Sequence, residues 1–416
     1  MMNYIDKFTS AIKNSYFDQL NQKNQDFIRS LAFDKKLSLQ EIREYITMAR
    51  DLELWDEGDL ELIFLPHQNK KISLKKTKQN YETIRNKPNR YDNFTLHVNS
   101  QEQKYHFKTT KKEGFGLGLC PVASEKTRCC NLLTLDAVES CGFDCSYCSI
   151  QSFYNQNTIT FDSDFANKLA NLQLDPHKTY HIGTGQSSDS LMFGNREGIL
   201  DALFAFALRY PNVILEFKTK SNNITYLLEN DVPKNIICTW SLNTPTIINN
   251  EEHLTASLEK RIDAARKVAD KGVKVGFHFH PIVEYENYLD EYEAVYETLL
   301  HTFSPSEVAL VSFGTLTFIK PVIKQLRNRD FKTKITQMPF DEIAGKHSYP
   351  LQTKVEMFSH AYKSFAPWHK EVFFYMCMEE HSLWEKCFGY HYATNNDFER
   401  DMLYNYTKKL GLEFYL

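Results

Sequence analysis

From residue 131 to about 330 the chain repeats one pattern: a short apolar run, a break, then a stretch with helical spacing. The runs are NLLTLDAV (131–138), TYHIGT (179–184), VILEFKT (213–219), IICTWSL (236–242), VKVGFHFHPIV (273–283) and EVALVSFG (307–314). Helical patterns lie between and after them, near 161–172, 195–209, 222–229, 257–271, 288–302 and 316–327. Strands alternating with helices pair in parallel, because each helix carries the chain back across the sheet. Six such units suit a partial barrel, since a full eight-fold one needs roughly 250 residues. The pattern predicts an α/β fold, a partial (β/α)6 barrel.

The flanking regions read differently. Residues 1–65 are expected to be a helical region: Ser38 and Glu41 form a capping box, and Ile42, Tyr45, Ile46 and Ala49 follow at helical spacing. Residues 66–118 are expected to be a basic accessory segment, 119–330 the barrel, and 331–416 a C-terminal α+β unit. Within 70–112 there are twelve Lys or Arg against three acids, with Tyr81, Tyr91, Phe94, Tyr105 and Phe107 interleaved. The whole chain sums to −4, so this +9 segment leaves −13 elsewhere and excludes a uniformly basic nucleic-acid coat. Locally, positive charge tracks phosphates and aromatic faces stack bases, so DNA or RNA is the expected partner of 70–112; the plainer reading is a solvated charged face. No apolar stretch approaches a membrane span, so no membrane partner is expected. The opening MMNYIDKFTS lacks a basic-then-apolar leader, and the expected compartment is the cytoplasm.

Nine cysteines are present, and six of them fall between Cys120 and Cys148. A disulfide scaffold suits a long chain with an odd cysteine count poorly. Cys141, Cys145 and Cys148 form C-x3-C-x2-C directly after the first expected strand. Three thiolates on one loop can hold three irons of a cubane and leave the fourth open to a ligand. A zinc site completed by Cys120 or Cys129 is the alternative.

CGFDCSYC, with Tyr147 before the last cysteine, resembles the signature of the radical S-adenosylmethionine (radical SAM) superfamily. More of the chain resembles one branch, the spore photoproduct lyase family: CGFDCSYCSIQ (141–151), GTGQSSDSL (183–191), FKTKSNN (217–223), the stretch 241–283, and YMCMEEHSLWEKCFG (375–389). The resemblance implies a radical SAM barrel, a 4Fe-4S cluster on Cys141, Cys145 and Cys148, and S-adenosylmethionine held by Ser188, Lys220 and Ser241. Period-two polarity in the strands agrees, since it points Glu216, Lys218 and Lys220, and likewise Thr239, Ser241 and Asn243, to one face. Lys218 also reads as an outward, solvated lysine. Tyr147 and Gly183 join the expected cofactor contacts, Gly183 and Gly185 through a turn presented to the methionyl amine. His278 and His280 share one strand face; His278 is the candidate catalytic residue, against the reading of a core histidine bonded to a carboxylate. Asp189 divides between substrate contact and helix capping.

The implied activity is lyase-type or repair chemistry on a nucleic-acid base or DNA lesion, started by a 5′-deoxyadenosyl radical, with a flavodoxin or ferredoxin as electron donor. The alternatives are a radical SAM enzyme acting on a peptide, protein or small molecule, and a non-catalytic Fe–S or zinc protein that binds nucleic acid. Two positions depart from the family. Gln186 stands where a hydrogen-donating cysteine is expected, and Ser149 where a tyrosine is. Amide N–H and alkyl O–H bonds are stronger than thiol S–H or phenol O–H, so neither replacement donates a hydrogen atom readily. Cys120, Cys129 and Cys130 read as ligands of a second metal, as a hydrogen donor from another direction, or as buried thiols; a closed four-thiolate site would need an outside ligand such as Cys377. Cys238, Cys377 and Cys387 read by themselves as packing residues.

Overall fold

Each of the six apolar runs becomes a strand of one sheet in the computed structural model, which describes residues 3–92, 94, 105–120, 127–148, 158–329, 331–343 and 346–415. The chain divides into two units: residues 1–102, 284–286 and 318–348 form one, and 103–283, 287–317 and 349–416 the other.

The larger unit is built on an eight-stranded sheet. Its strands are β1 (Leu117–Leu119), β2 (Leu133–Leu135), β3 (Tyr180–Thr184), β4 (Val213–Thr219), β5 (Ile236–Ser241), β6 (Lys274–Ile282), β7 (Val308–Thr315) and β8 (Phe373–Met376). Their order across the sheet is their order along the chain. β1 pairs antiparallel with β2, and every later pair is parallel. The sheet is an open, curled half-barrel, so the α/β partial-barrel expectation holds. β5 and β7 are buried at every position, as befits strands with packed side chains on both faces. Helices Ile199–Arg209, Leu258–Asp270 and Tyr288–Thr302 cross over between strands where helical spacing was expected. Two strands were not anticipated: β1, in a glycine-rich stretch, and β8, whose Phe-Phe-Tyr-Met run adds a seventh parallel strand from the C-terminal region.

The smaller unit packs helices Tyr4–Ile12, Gln22–Lys35, Leu39–Leu54 and Lys70–Arg85 around Ile28, Ile42, Tyr45, Ile46 and Trp55. The Ser38–Glu41 capping box is formed, and Ile42, Tyr45, Ile46 and Ala49 are all buried. Asp51 receives Arg327 through both oxygens at 2.6 and 2.7 Å, and the Tyr81 hydroxyl at 2.6 Å. This corrects one reading of the basic segment. Tyr81 is a core residue stacked on Trp55, and has no face left for a base. The segment itself is two pieces, helix Lys70–Arg85 in this unit and strand His106–Thr110 in the other. Lys71, Lys75, Lys76 and Lys78 are exposed on the helix, whereas Lys70, Arg85 and Arg90 are held by Glu41, Glu82 and Glu286.

Candidate active site

The cysteine loop leaves the sheet after β2 and is pinned from the far side. Asp144–Cys145 pairs antiparallel with Glu252–His253, setting Cys145 opposite Glu252. The Ser146 amide donates to Glu251 O at 2.8 Å, and the Cys148 amide to Cys145 O at 3.1 Å. The Phe143 amide donates to Cys141 Sγ at 3.4 Å. Such amide donors to sulfur favour thiolate over thiol and suit cluster ligands.

Behind the loop lies a buried charge network. Lys220 Nζ donates to Tyr147 Oη at 2.7 Å, lies 3.6 Å from Cys145 Sγ and sits 4.6 Å from the centre of the Tyr147 ring. The Tyr147 hydroxyl donates to Glu252 Oε1, which is 3.8 Å from Lys220 Nζ. Arg261, fully buried, binds Glu252 Oε2 at 2.6 Å and Ser241 O at 2.8 Å. Burial works against a charged Glu252, but Arg261 and Lys220 hold its pKa at about 2. Burial likewise opposes the charge on Lys220, yet Cys145 and Glu252 keep its pKa raised. Two cations thus share the Glu252 carboxylate, and one of them, Lys220, lies beside the Cys145 thiol. Burial pushes the Cys145 thiol up to about 12, so ligation by metal must displace its proton.

Ser188 belongs to the turn after β3. Its Oγ is buried without a hydrogen-bond partner, the condition of a group awaiting a ligand. Next to it, Asp189 accepts the amides of Leu191, Met192 and Lys220 and the Thr219 hydroxyl at 2.7–3.0 Å. Asp189 is therefore occupied in joining this turn to β4; it does not cap the next helix, Ile199–Arg209, whose N-cap is Gly198. Gly183 lies on β3, where Leu132 fills the space of its missing side chain. Gly185 is the constrained glycine: its φ is +78°, and a Cβ would meet Ser190 Oγ at 2.6 Å.

Ser241 lies opposite His278 in the β5–β6 register. His278 is buried, with Nε2 2.6 Å from Glu216 Oε1 and Nδ1 2.6 Å from Ser312 Oγ. Glu216 Oε2 also meets His181 Nε2 at 2.8 Å, and Thr239 Oγ1 donates to Oε1 at 2.7 Å. Burial and Lys218 lower the pKa of His278 to about 4, against the pull of Glu216, so the ring is neutral near pH 7. Its Nε2–H then donates to Glu216, and Nδ1 accepts from Ser312, whose Oγ is 2.9 Å from His280 Nε2. His278 occupies the carboxylate-bonded position that was the alternative to a catalytic role, and His280 is the terminal member of the relay. Alternating polarity marked Glu216 as sharing a face with its neighbours. Nothing local marked Glu252 or Arg261, whose pairing is set only by tertiary contact. Ser149 lies outside the described residues; Gln186 is half-buried.

A profile of the spore photoproduct lyase family matches residues 131–350, more than half of the chain. The chain belongs to the spore photoproduct lyase family. It is 27% identical to the spore photoproduct lyase of Clostridium acetobutylicum over 225 residues, 52% of this chain and 64% of that protein. It is 30% identical to the Bacillus subtilis spore photoproduct lyase over 123 residues, 29% of this chain and 36% of that one. The matches thus span under two thirds of these lyases' own length. A solved spore photoproduct lyase complexed with dinucleoside spore photoproduct superposes with a TM-score of 0.54 at 20% identity, over 66% of this chain and 82% of that one. The shared fold is the radical SAM half-barrel.

Proposed function

We propose that this family member is a radical SAM enzyme that performs lyase-type chemistry on a nucleic-acid base or DNA lesion. Its expected setting is the cytoplasm, with a flavodoxin or ferredoxin as electron donor. Among the described residues no helix is long and apolar enough to cross a membrane. The observation that carries the reading is the buried Lys220 ammonium, 3.6 Å from Cys145 Sγ and backed by Glu252 and Arg261.

Cys141, Cys145 and Cys148 would hold a 4Fe-4S cluster, and Ser188, Lys220 and Ser241, with Tyr147 beside them, would hold S-adenosylmethionine. Bound together, the two groups supply a 5′-deoxyadenosyl radical, a strong hydrogen-atom abstractor. Lys220 neutralises the methionyl carboxylate, Ser188 Oγ donates the hydrogen bond it otherwise lacks, and Glu252 fixes the Tyr147 hydroxyl. The relay His280–Ser312–His278–Glu216 holds one proton order along β6 and orients His280. The nucleic-acid substrate is supported by the ligand in the related solved complex and by the exposed lysines of helix Lys70–Arg85. Gln186 replaces the expected hydrogen donor, so the closing hydrogen must come from a group other than residue 186.

Anaerobic reconstitution with S-adenosylmethionine and a reductant tests the reading: 5′-deoxyadenosine should form, and Cys145→Ala should abolish it. Dinucleoside spore photoproduct is the first substrate to supply. Its consumption with transfer of deuterium to 5′-deoxyadenosine would support base chemistry. An iron-loaded protein that releases no 5′-deoxyadenosine would overturn the proposal.

A further inference from the structure

We propose that Cys120, Cys129, Cys130 and Cys377 hold a second iron–sulfur cluster, closed by four thiolates.

The backbone brings these residues together from three segments. The β1–β2 ladder continues past Leu119, with the Cys120 amide donating to Leu132 O at 2.9 Å. Thr127 bridges antiparallel to Glu380, and the Arg128 amide donates to Glu379 O at 3.1 Å. Two residues on from Arg128 stands Cys130, and two residues before Glu379 stands Cys377. The Cys377 amide in turn donates to Phe313 O at 2.8 Å, prolonging β8 alongside β7. The segment carrying Cys129 and Cys130 is fastened by side chains as well. Asn395 Oδ1 accepts the Cys129 amide at 3.1 Å, and Arg128 Nε donates to Tyr392 O at 2.7 Å.

The thiols follow the backbone. Those of Cys129 and Cys130 are in hydrogen-bond contact, Cys130 lies within electrostatic range of Cys377, and Cys377 within range of Cys120 and Cys129. A packing cysteine such as Cys238, fully buried on β5, has no other thiol among the groups acting on it. Four thiols and no imidazole make a soft donor set, which selects zinc or iron–sulfur units. Among the described residues no three His, Cys, Asp or Glu side chains are placed to hold a single metal ion, and that includes Cys141, Cys145 and Cys148. Lys218 acts electrostatically on Cys377 and supplies a cation against the negative charge of a four-thiolate cluster. With four protein ligands no iron stays open, so this site would hold no S-adenosylmethionine and suits electron transfer or structure. All four cysteines lie outside the family-matched residues 131–350.

The decisive protein is the full-length Cys141→Ala/Cys145→Ala/Cys148→Ala variant, because it isolates this site from the first. After anaerobic reconstitution it should keep about four irons and four sulfides per chain, against about eight of each in the parent, with a cubane signal in electron paramagnetic resonance on reduction. Adding Cys120→Ala and Cys377→Ala should remove the iron. If that variant does not fold, Cys120→Ser/Cys377→Ser on the same background should lower the iron content or shift the resonance. A folded triple variant that binds no iron–sulfur cluster, or binds one zinc in its place, would overturn the proposal. Neither result bears on the chemistry at Cys141, Cys145 and Cys148.

Discussion

Lys220→Met separates the proposed cofactor site from the fold that carries it. The substitution keeps the length of the side chain and removes its charge. In the parent, Lys220 and Arg261 both face Glu252; in the variant, Arg261 and Glu252 remain as a buried pair at 2.6 Å. Tyr147 keeps its bond to Glu252 and loses only the donor at 2.7 Å. Stability should therefore change by no more than about 1 kcal/mol, the size of one ordinary hydrogen bond. Cofactor affinity should fall much further. A hydrogen bond to a charged partner contributes about 1.5–3 kcal/mol, which is roughly a 10- to 150-fold rise in Kd for S-adenosylmethionine. The assay is anaerobic equilibrium dialysis on reconstituted protein, with iron counted in the same samples and the melting temperature recorded beside it. Lys218→Met is the control; it removes a lysine two residues earlier, within β4, and should leave the affinity within about twofold. A Kd changed less than threefold in an iron-loaded, normally folded Lys220→Met protein would refute the charge argument.

Glu252→Gln should be far more damaging to the fold, because it leaves Arg261 and Lys220 buried without a carboxylate; a loss of about 3–5 kcal/mol is expected in chemical denaturation. On the outer surface, hydrogen bonds from Arg266 hold the Glu307 carboxyl at about 2. Its folded pKa lies below the free value of 4.5, so the pair stabilises fully above that pH and the contribution is lost as pH falls through about 2. Acid titration of stability should accordingly be flatter in Glu307→Gln over that window. Replacing Lys71, Lys75 and Lys78 by alanine should weaken nucleic-acid binding evenly across sequences and reduce the salt slope by roughly 2–3, read by fluorescence anisotropy at several salt concentrations; an unchanged slope would place the binding elsewhere.

The strands of the half-barrel could be read in advance because they are buried on both faces, and so appear as unbroken Val, Ile and Phe runs. The cysteine loop was legible because its three cysteines lie within eight residues. What escaped has a common cause, in that its partners are distant in sequence. Arg261 sits in a helix whose pattern gives an arginine no reason to be buried, and only the fold reveals Glu252 beneath it. Tyr81 looked like a surface aromatic among lysines until Asp51 and Trp55 were seen to enclose it. β8 was hidden because Phe-Phe-Tyr-Met is four residues long, too short to show a period between helices Leu351–Ser364 and His381–Phe388. Segment 318–348 follows β7 directly, yet packs with the N-terminal helices through Arg327 and Asp51, a return that no local periodicity records.

The strand order of the sheet has a consequence for how the protein is made. Because spatial neighbours are also chain neighbours, each strand leaving the ribosome meets a partner already synthesised, and most pairings need only one short crossover. The cysteine loop belongs to the earliest of these steps, but Glu252 and Arg261, which close over it, arrive three strands later. During that interval the loop gains Met192 after β3 and Lys220 after β4, but not its pairing with Glu252. The arrival of Glu252 and then of helix Leu258–Asp270 completes the buried network behind the thiols.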